Sequence, residues 1–401
     1  MKLGSRTIVG GVIGTAMAWT LAVVMVSGTM VSGQAAPVAP APAAPAAAAQ
    51  AGVPMAEQVF KNVQVLKGIS VQEFMGAMGV FSAALGMSCE DCHAADDRNW
   101  DGFAAENPRK QMARMMMIMM TNINRQNFGG RQMITCYSCH RGDSRPKPTP
   151  TMDEIYGGFP PNNPADIITQ EKTAPAPETV LDKYIAAVGG AQRAAALKSY
   201  TAKGQSVGYG PESQSRPVEI YATSPDKRST VIHTDSGLAT TTYNGAQAWY
   251  AAPYRPVDVL EYVGADRDGA KIDAMLGFPA VIKEMATNWR TGRPQFIDGK
   301  ELTHVQGTTA AGVNVSLFFD PETGLLVRQL RFTNSPVGRI PTQWDYADYR
   351  DVAGVKVPFK YTMSGINGKD SFELESIQPN VNIPAARFGK PAPPVNTAAG
   401  R

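Results

Sequence analysis

The chain has 401 residues, enough for two or three domains that each bury a hydrophobic core of their own. Its formal net charge is +3 and only 18% of its residues are charged, so composition gives no electrostatic basis for binding nucleic acid. Its four cysteines all lie in two short segments, which is a poor basis for a structural disulfide framework.

Residues 1–34 predict a targeting segment. Lys2 and Arg6 precede an apolar run over about residues 8–26, and small residues follow that run. These are the parts of an export signal, with a cleavage site before Ala36. The run is also close to the length that spans a bilayer, so an uncleaved inner-membrane anchor stays open as the alternative. Both predict a periplasmic location for the rest of the chain.

Residues 35–54 are rich in Ala and Pro and predict an extended tether. A helical domain is predicted over residues 55–150. Its first helical pattern covers residues 56–66, and Ser70 with Glu73 forms a capping box that predicts the start of a second helix. A third helix is predicted over about residues 107–124, with a proline in its first turn and two glycines beyond its end.

Two C-x-x-C-H motifs lie in this region, the first over residues 89–93 and the second over residues 136–140, and together they use every cysteine. This is the attachment signature of c-type haem, in which both thiols bind the vinyl groups and the adjacent histidine supplies the proximal nitrogen to iron. Two copies in an exported chain predict two covalently attached haem c groups. The predicted attachment points and proximal ligands are Cys89, Cys92, His93, Cys136, Cys139 and His140.

Other uses of these cysteines fit the pattern less well. A zinc site with four cysteine ligands would not call for a histidine after each pair. A thioredoxin-type pair would sit in a βαβ context, and no such pattern surrounds residue 89 or residue 136.

Methionine is the main candidate for the second axial ligand of each iron. The two remaining histidines, His233 and His304, fall in strand-like segments far along the chain, where a structural role is favoured. By contrast, 12 of the 19 methionines lie between residues 55 and 152. Most of them are expected to pack in cores, as methionine commonly does. The third helix is apolar around most of its circumference, and two flat porphyrins would cover it. One face carries Met112, Met116, Met119, Met120 and Ile123, and one methionine per haem is expected to bind iron.

A Pro-rich linker is predicted over residues 151–177, followed by a helix over 178–190. Short alternating segments with turn signals then continue to about residue 392, before a tail over 393–401. The predicted fold is therefore multidomain: a mainly helical diheme c-type cytochrome domain, then an α+β domain dominated by an antiparallel, half-barrel-like sheet.

The segments "FMGAMGVFSAALGMSCEDCH", "KQMARMMMIMMTNINRQNFGG" and "ITCYSCHRG" resemble the cytochrome c subunit of photosynthetic reaction centres over about residues 55–150. In that family a helix, a turn and a C-x-x-C-H motif carry each haem, and a methionine of the helix is the distal ligand. The resemblance implies Met78 for the first haem, with Met75 as the fallback. For the second haem it implies Met116, with Met119 as the fallback.

Lys110 and Arg114 are candidates for pairing with haem propionates, although a solvated helix face is an equal alternative. The chain also departs from the family. The best-known members carry four haems and many are anchored through an N-terminal lipidated cysteine, whereas this chain has two motifs and no spare cysteine. Two-haem relatives also occur in bacteria that need not be phototrophic. After the second motif, the segments "LDKYIAAVGGAQRAAALKSY", "DPETGLLVR" and "DYADYRDVAGVKVPFKY" give the C-terminal domain a weak resemblance to the half-barrel, lipoprotein-carrier-like domains of exported bacterial proteins.

The predicted function is single-electron transfer on the periplasmic side of a membrane, not catalysis. The expected partners are a soluble electron donor and a membrane-bound acceptor such as a reaction centre or a respiratory complex. His/Met ligation would suit this role, since it saturates the iron and raises its potential. The alternatives are a respiratory or other carrier in a non-phototroph, a diheme peroxidase-like enzyme with one open iron site, and a haem-based sensor whose β domain binds a lipid or quinone-like ligand.

Overall fold

The computed structural model describes residues 52–94, 100–156, 166–208, 214–366 and 368–395. The predicted targeting segment and most of the predicted tether lie outside these residues. Within the described part of the chain, no helix is both long enough and apolar enough to cross a membrane. All of the described residues fall in one compact unit, and the predicted boundaries at residues 150 and 178 stay predictions.

The N-terminal part of this unit is helical. The predicted start of the second helix is confirmed, since Ser70 is the N-cap of α2 and its side chain accepts a hydrogen bond from the Glu73 backbone N–H at 3.1 Å. The elements are α1 (Ala56–Val59), α2 (Val71–Leu85), a 3₁₀ helix (Trp100–Ala104), α3 (Pro108–Asn127), α4 (Cys136–His140) and α5 (Met152–Tyr156).

The predicted helix over residues 56–66 is wrong beyond its first turn. Asn62 has a φ of +63°, in the left-handed region, so the helix cannot continue through it. Its side chain instead donates to the carbonyl oxygen of Ala104 at 2.9 Å. The contact between Asn62 and the distant Ala104 therefore prevails over the helical conformation that the spacing of the apolar residues favours.

Among the described residues, the C-terminal part carries three α-helices, two 3₁₀ helices (Pro279–Met285 and Ala385–Phe388) and fourteen strands. The α-helices are α6 (Pro177–Ala187), α7 (Ala191–Ala196) and α8 (Gly264–Met275); only α6 was predicted. The strands are β1 (Ser199–Gly208), β2 (Ser215–Thr223), β3 (Lys227–Thr234), β4 (Gly237–Tyr243), β5 (Ala248–Ala251), β6 (Val259–Tyr262), β7 (Thr287–Thr291), β8 (Gln295–Ile297), β9 (Lys300–Thr308), β10 (Asn314–Phe319), β11 (Leu326–Ser335), β12 (Gly338–Val352), β13 (Val355–Gly365) and β14 (Gly368–Pro379).

These strands form one large open sheet in which the pairs between the named strands are all antiparallel, as predicted. The order is β6-β5-β4-β3-β2-β1-β14-β13-β12-β11-β10-β9-β7, and β8 pairs with β9 off this path. Two meanders are thus joined where β1 pairs with β14, for example Tyr200 opposite Pro379. Neighbours in sequence are neighbours in the sheet almost throughout, which is why the turn signals alone predicted its class.

The main hydrophobic core lies between this sheet and the helices that cover it. Leu181 and Tyr184 of α6 and Ile272 of α8 pack against strand residues that include Ile220 and Leu317. A second cluster joins the helical part to the sheet. It contains Leu66, Ala77, Val80, Met117, Met120 and, from the turn between β11 and β12, Val337.

Candidate functional site

The first C-x-x-C-H motif forms a single helical turn directly after α2. Gly86 ends α2 in the left-handed conformation, with a φ of +63°. The backbone N–H of His93 then donates to the carbonyl oxygen of Cys89 at 2.9 Å, which closes the turn. Within this turn Asp91 accepts from the Ser88 backbone N–H at 2.9 Å. The turn places the two cysteines and the histidine next to each other in space, as haem attachment requires.

Residues at the start of α3 contact the first motif and stabilise its conformation. Asn107 is the N-cap of α3 and accepts from the backbone N–H of Lys110 at 3.0 Å. Its amide nitrogen simultaneously donates to the carbonyl oxygen of Cys92 at 2.6 Å. Arg109 contacts both the backbone carbonyl and the carboxylate of Asp91. Sequence reasoning identified the helix start but not these two supporting residues, because their partners are 15 and 18 residues away.

The ring of His93 is oriented by a backbone hydrogen bond. Its Nδ1 lies 2.9 Å from the carbonyl oxygen of Phe103, and since a carbonyl can only accept, Nδ1 carries the proton. Nε2 therefore has a lone pair and is the nitrogen available to a metal. Partial burial lowers the pKa of His93 below its ordinary value, which favours this neutral form.

A cavity of about 360 Å³ adjoins the first motif. Cys89, Cys92 and His93 contribute to its wall, and Met117 of α3 lines it too. The other lining residues are mostly apolar and include Val59, Val63, Leu66, Phe74, Met75, Met78, Phe81, Leu85, Phe103 and Pro256. A mostly apolar cavity with an attachment motif in its wall is the environment that a porphyrin requires.

Both methionines considered for the first site, Met75 and Met78, line this cavity from α2. The helix places them one turn apart on the same face, together with Phe74, Phe81 and Leu85. The opposite face of α2 is buried through Ala77 and Val80. The structure thus brings both candidates to the site that contains His93, and the choice of Met78 over Met75 stays a prediction.

The two cationic residues considered for the propionates also line the cavity, but each already has partners. The ammonium group of Lys110 donates to the carbonyl oxygens of Phe103 at 2.5 Å and Ala105 at 2.6 Å. The guanidinium of Arg114 pairs with Glu106 at 2.8 Å. These contacts hold the segment that accepts the hydrogen bond from His93.

The second motif is helix α4 itself. Thr135 is its N-cap, and the backbone N–H of Thr135 donates to the hydroxyl of Ser138 at 3.0 Å. Arg141 ends the helix with a φ of +52°. The side chain of Cys136 packs against the second hydrophobic cluster, and burial raises the pKa of its thiol to about 11. Cys139 is exposed.

The ring of His140 is held in the same way as that of His93. Its Nδ1 lies 3.0 Å from the carbonyl oxygen of Asp143, so Nδ1 again carries the proton and Nε2 the lone pair. The segment after α4 packs on the end of α2, where the N–H of Gly142 donates to Ala84 at 2.9 Å. A Cβ on Gly86 would lie only 2.4 Å from the carbonyl oxygen of Gly142, so glycine is required at this contact.

A buried asparagine fixes the connection from α3 to the second motif. Asn124, 6% exposed, accepts from the backbone N–H groups of Met133 at 3.0 Å and Ile134 at 2.9 Å. It also donates to the carbonyl oxygen of Ile134 at 2.7 Å. Asn124 lies in the last turn of α3, and nothing in the sequence indicated its partners.

Part of the surface of α3 is apolar and exposed. Met112, Met115 and Met119 are 51%, 54% and 47% exposed, and Met116 is half-buried. Tyr137 within the motif is 57% exposed. Met120, which the helical spacing places on the same face as Met116, packs in the core with Met117. One face of α3 therefore lines the first site, and another presents methionines to solvent.

The donor sets fit two haem groups. Each motif supplies two free thiols and a histidine whose Nε2 lone pair is free of the backbone hydrogen bond. Among the described residues, no three His, Cys, Asp or Glu side chains come together as a metal cluster. His233 and His304 lie in β3 and β9, in the sheet; His304 is buried and stacks on Phe318 at 4.5 Å between ring centroids.

Residues 5–178 match the family model described as the photosynthetic reaction centre cytochrome C subunit. The N-terminal region of this chain is similar to that subunit, as the sequence predicted. The subunit of Rubrivivax gelatinosus is 35% identical over 123 residues, covering 29% of this chain and 30% of the relative. That of Thermochromatium tepidum is 30% identical over 96 residues, covering 23% of each chain. The subunit of Roseobacter denitrificans is 28% identical over 148 residues and is covered to 39%.

The chain thus spans well under half the length of these reaction-centre cytochrome relatives. Solved structures similar to this chain include a putative outer membrane lipoprotein-sorting protein domain of Vibrio parahaemolyticus, with 10% identity, a TM-score of 0.37, and coverage of 54% of this chain and 98% of that one. A LolA superfamily protein of Nitrosomonas europaea has 12% identity, a TM-score of 0.37, and coverage of 54% and 99%.

Proposed function

We propose that the protein is a diheme c-type cytochrome that transfers single electrons on the periplasmic side of a membrane. The similarity of its N-terminal region to reaction-centre cytochrome subunits supports an electron carrier. The observation that carries the proposal is the geometry of the two motifs. In each motif a backbone carbonyl binds Nδ1 of the histidine and leaves Nε2 for a metal, and the first motif opens into an apolar cavity lined by methionines.

Each residue set has a defined task in this proposal. Cys89 and Cys92 hold one haem, and Cys136 and Cys139 hold the other, so that neither group is lost outside the cell. His93 and His140 supply the proximal nitrogens, and Met78 and Met116 the distal sulfurs. When bound, haem iron supplies a one-electron couple, whose potential depends on its axial ligands.

The protein environment contributes burial and rigidity. The apolar walls of the first cavity exclude water, which disfavours the more highly charged oxidised state and raises the potential. The carbonyl of Phe103 fixes the ring orientation of His93. The exposed methionines of α3 form apolar surface that a flat apolar group would cover, and Cys139 of the second motif is itself exposed. The two environments differ in burial, so we expect the first haem to have the higher potential.

The partners are proposed to be a soluble electron donor and a membrane-bound acceptor, either a reaction centre or a respiratory complex. Flash-induced oxidation in membranes of the host distinguishes these acceptors, since only a reaction centre oxidises its donor on illumination. A respiratory carrier would instead be oxidised on addition of oxygen or another terminal acceptor in the dark.

Quantification of haem and a spectroscopic redox titration of the purified protein test the proposal. We expect two covalent haems per chain, both low-spin, with the far-red methionine–iron band in the oxidised form and positive potentials. A high-spin haem that binds peroxide would instead indicate a peroxidase-like enzyme. A chain without covalent haem would overturn the proposal altogether.

A further inference from the structure

The turn between β11 and β12 reaches out of the C-terminal sheet and into the helical region. We name residues 335–340 the bracing turn. Val337 at its centre is 1% exposed and belongs to the hydrophobic cluster formed by Leu66, Ala77 and Val80. A residue of the sheet is thus part of the core on which α2 packs.

The bracing turn makes unusually close contact with α2. Gly76 is buried in the middle of this helix, where glycine is less favourable than alanine. A Cβ at Gly76 would lie 2.3 Å from Cδ1 of Ile340. The glycine therefore allows β12 to approach the helix, and the side chain of Ile340 fills the space that its missing side chain leaves.

The same turn contacts the segment that leads to the second motif. A Cβ on Gly338 would lie 3.1 Å from Cγ1 of Val80 in α2 and 3.7 Å from Cβ of Thr135, the N-cap of α4. The side-chain amide of Gln132 donates to the carbonyl oxygen of Ser335 at 2.8 Å. One turn of the sheet therefore contacts both the helix that bears Met78 and the start of the helix that bears Cys136 and His140.

We infer that the bracing turn positions α2 and α4, and that Val337 and Ile340 are positioning residues for the axial ligation of both haems. This inference rests on the proposed function. One face of α2 contacts the bracing turn through Gly76 and Val80. Met78 lies between these two residues in the sequence, but on the face of α2 that lines the cavity. Since a helix moves as a rigid body, the contact on one face sets the position of the methionine on the other.

A second contact from the sheet supports the same role. Pro256, in the connection between β5 and β6, lines the first cavity together with His93 and Met78. The C-terminal region thus contacts the first site directly through Pro256. It also contacts α2, the helix that bears Met78, on the face that does not line the cavity. In this inference the sheet supports the helices that carry the proposed haem ligands.

The test uses the full chain with its haems and three variants. Ile340→Ala and Val337→Ala shorten the two positioning residues, and Ile377→Ala is the control, a half-buried isoleucine of β14 that packs against the main core. We expect Ile340→Ala and Val337→Ala to reduce the methionine–iron band at least twofold and to lower at least one midpoint potential. We expect Ile377→Ala to change neither. Equal bands and potentials in all three variants and the wild type would overturn the inference.

Hydrogen exchange gives a readout that does not depend on the methionine–iron band. In the full chain with its haems, Ile340→Ala should accelerate exchange of the amides in residues 71–85 at least tenfold relative to Ile377→Ala. Unchanged exchange there would contradict the bracing role even if Val337→Ala failed to fold. The haem content of the wild type distinguishes a failure of the proposed function from a failure of the bracing role. A wild-type chain without haem refutes the proposed function, and two normal haems with unresponsive variants refute only the bracing role.

Discussion

Nδ1 of His93 donates a hydrogen bond to the carbonyl oxygen of Phe103, 2.9 Å away. Ten residues separate the two, and their rings also lie 4.9 Å apart between centroids. The segment that carries Phe103 is itself held by the ammonium group of Lys110, from α3. The orientation of the His93 ring is therefore linked to the start of α3, the helix that leads to the second motif.

Asn107→Ala tests that link. The substitution removes the N-cap of α3 and the hydrogen bond to the carbonyl oxygen of Cys92, so we expect a loss of about 1–2 kcal/mol in the free energy of unfolding. We also expect less haem on the first motif than on the second. Urea unfolding and mass spectrometry of haem-bearing peptides measure the two effects. Asn127→Ala, which removes one exposed contact to Ile123 at the other end of α3, should leave both unchanged.

Met78→Ala tests the predicted distal ligand of the first haem. We expect about half of the far-red methionine–iron absorbance to disappear and one potential to fall by about 0.1 V or more, within the ~0.8 V range that axial ligands control. Met87→Ala removes a similar volume from the same cavity and should keep the full band. Loss of the band in Met75→Ala, with Met78→Ala unaffected, would transfer the role to the fallback residue.

Asn124→Ala should destabilise the connection to the second motif. The substitution leaves the backbone N–H groups of Met133 and Ile134 without their acceptor, at a cost of about 2–3 kcal/mol in the free energy of unfolding. We expect incomplete haem attachment at Cys136 and Cys139, seen by mass spectrometry of tryptic peptides. Asn122→Ala in the same helix, which loses only a contact to Arg125, should match the wild type.

His304→Phe should remove an acid-dependent loss of stability. Burial lowers the pKa of His304 to about 4, below the ordinary value of 6.5. Below about pH 6.5 the unfolded chain therefore binds a proton that the folded protein does not, so stability falls as the pH drops from about 6.5 towards 4. Chemical denaturation at pH 7.5 and pH 4.5 should show a smaller difference for His304→Phe, by about 2 kcal/mol. A replacement of the more exposed His233 by glutamine should keep the wild-type difference.

Asp266→Asn should act in the opposite pH range. Burial raises the pKa of the Asp266 carboxyl group from 3.8 to about 6, although Arg331 opposes the shift. The folded state thus holds the proton more tightly than the unfolded chain, and stability is lost as the pH rises from about 4 through 6. We expect Asp266→Asn to be more stable than the wild type by about 2 kcal/mol at pH 7.5 and no more stable at pH 3.5. Asp258→Asn, at an exposed position, should show no gain at either pH.

The helices near the two motifs show which features of the fold can be predicted from neighbouring residues in the sequence. The start of α2 followed from Ser70 and Glu73, and the start of α3 from Asn107 and Pro108, because a cap acts on backbone groups within one turn. The helix predicted over residues 56–66 failed at Asn62, whose side chain binds a carbonyl 42 residues away. Local spacing cannot report a partner at that distance.

By itself, the sequence determined the class of the C-terminal sheet and the resemblance to reaction-centre cytochromes, and it predicted the chemistry of the two motifs. These depend on residue type and spacing over a few positions, or on turns that join neighbouring strands. Only the tertiary structure decided which face of α3 serves the first site, which carbonyls orient His93 and His140, and that the turn around Val337 packs against α2. Apart from the contact of His140 with the nearby Asp143, those features depend on contacts between distant segments, because burial of apolar surface and pairing of backbone groups are satisfied by the whole chain.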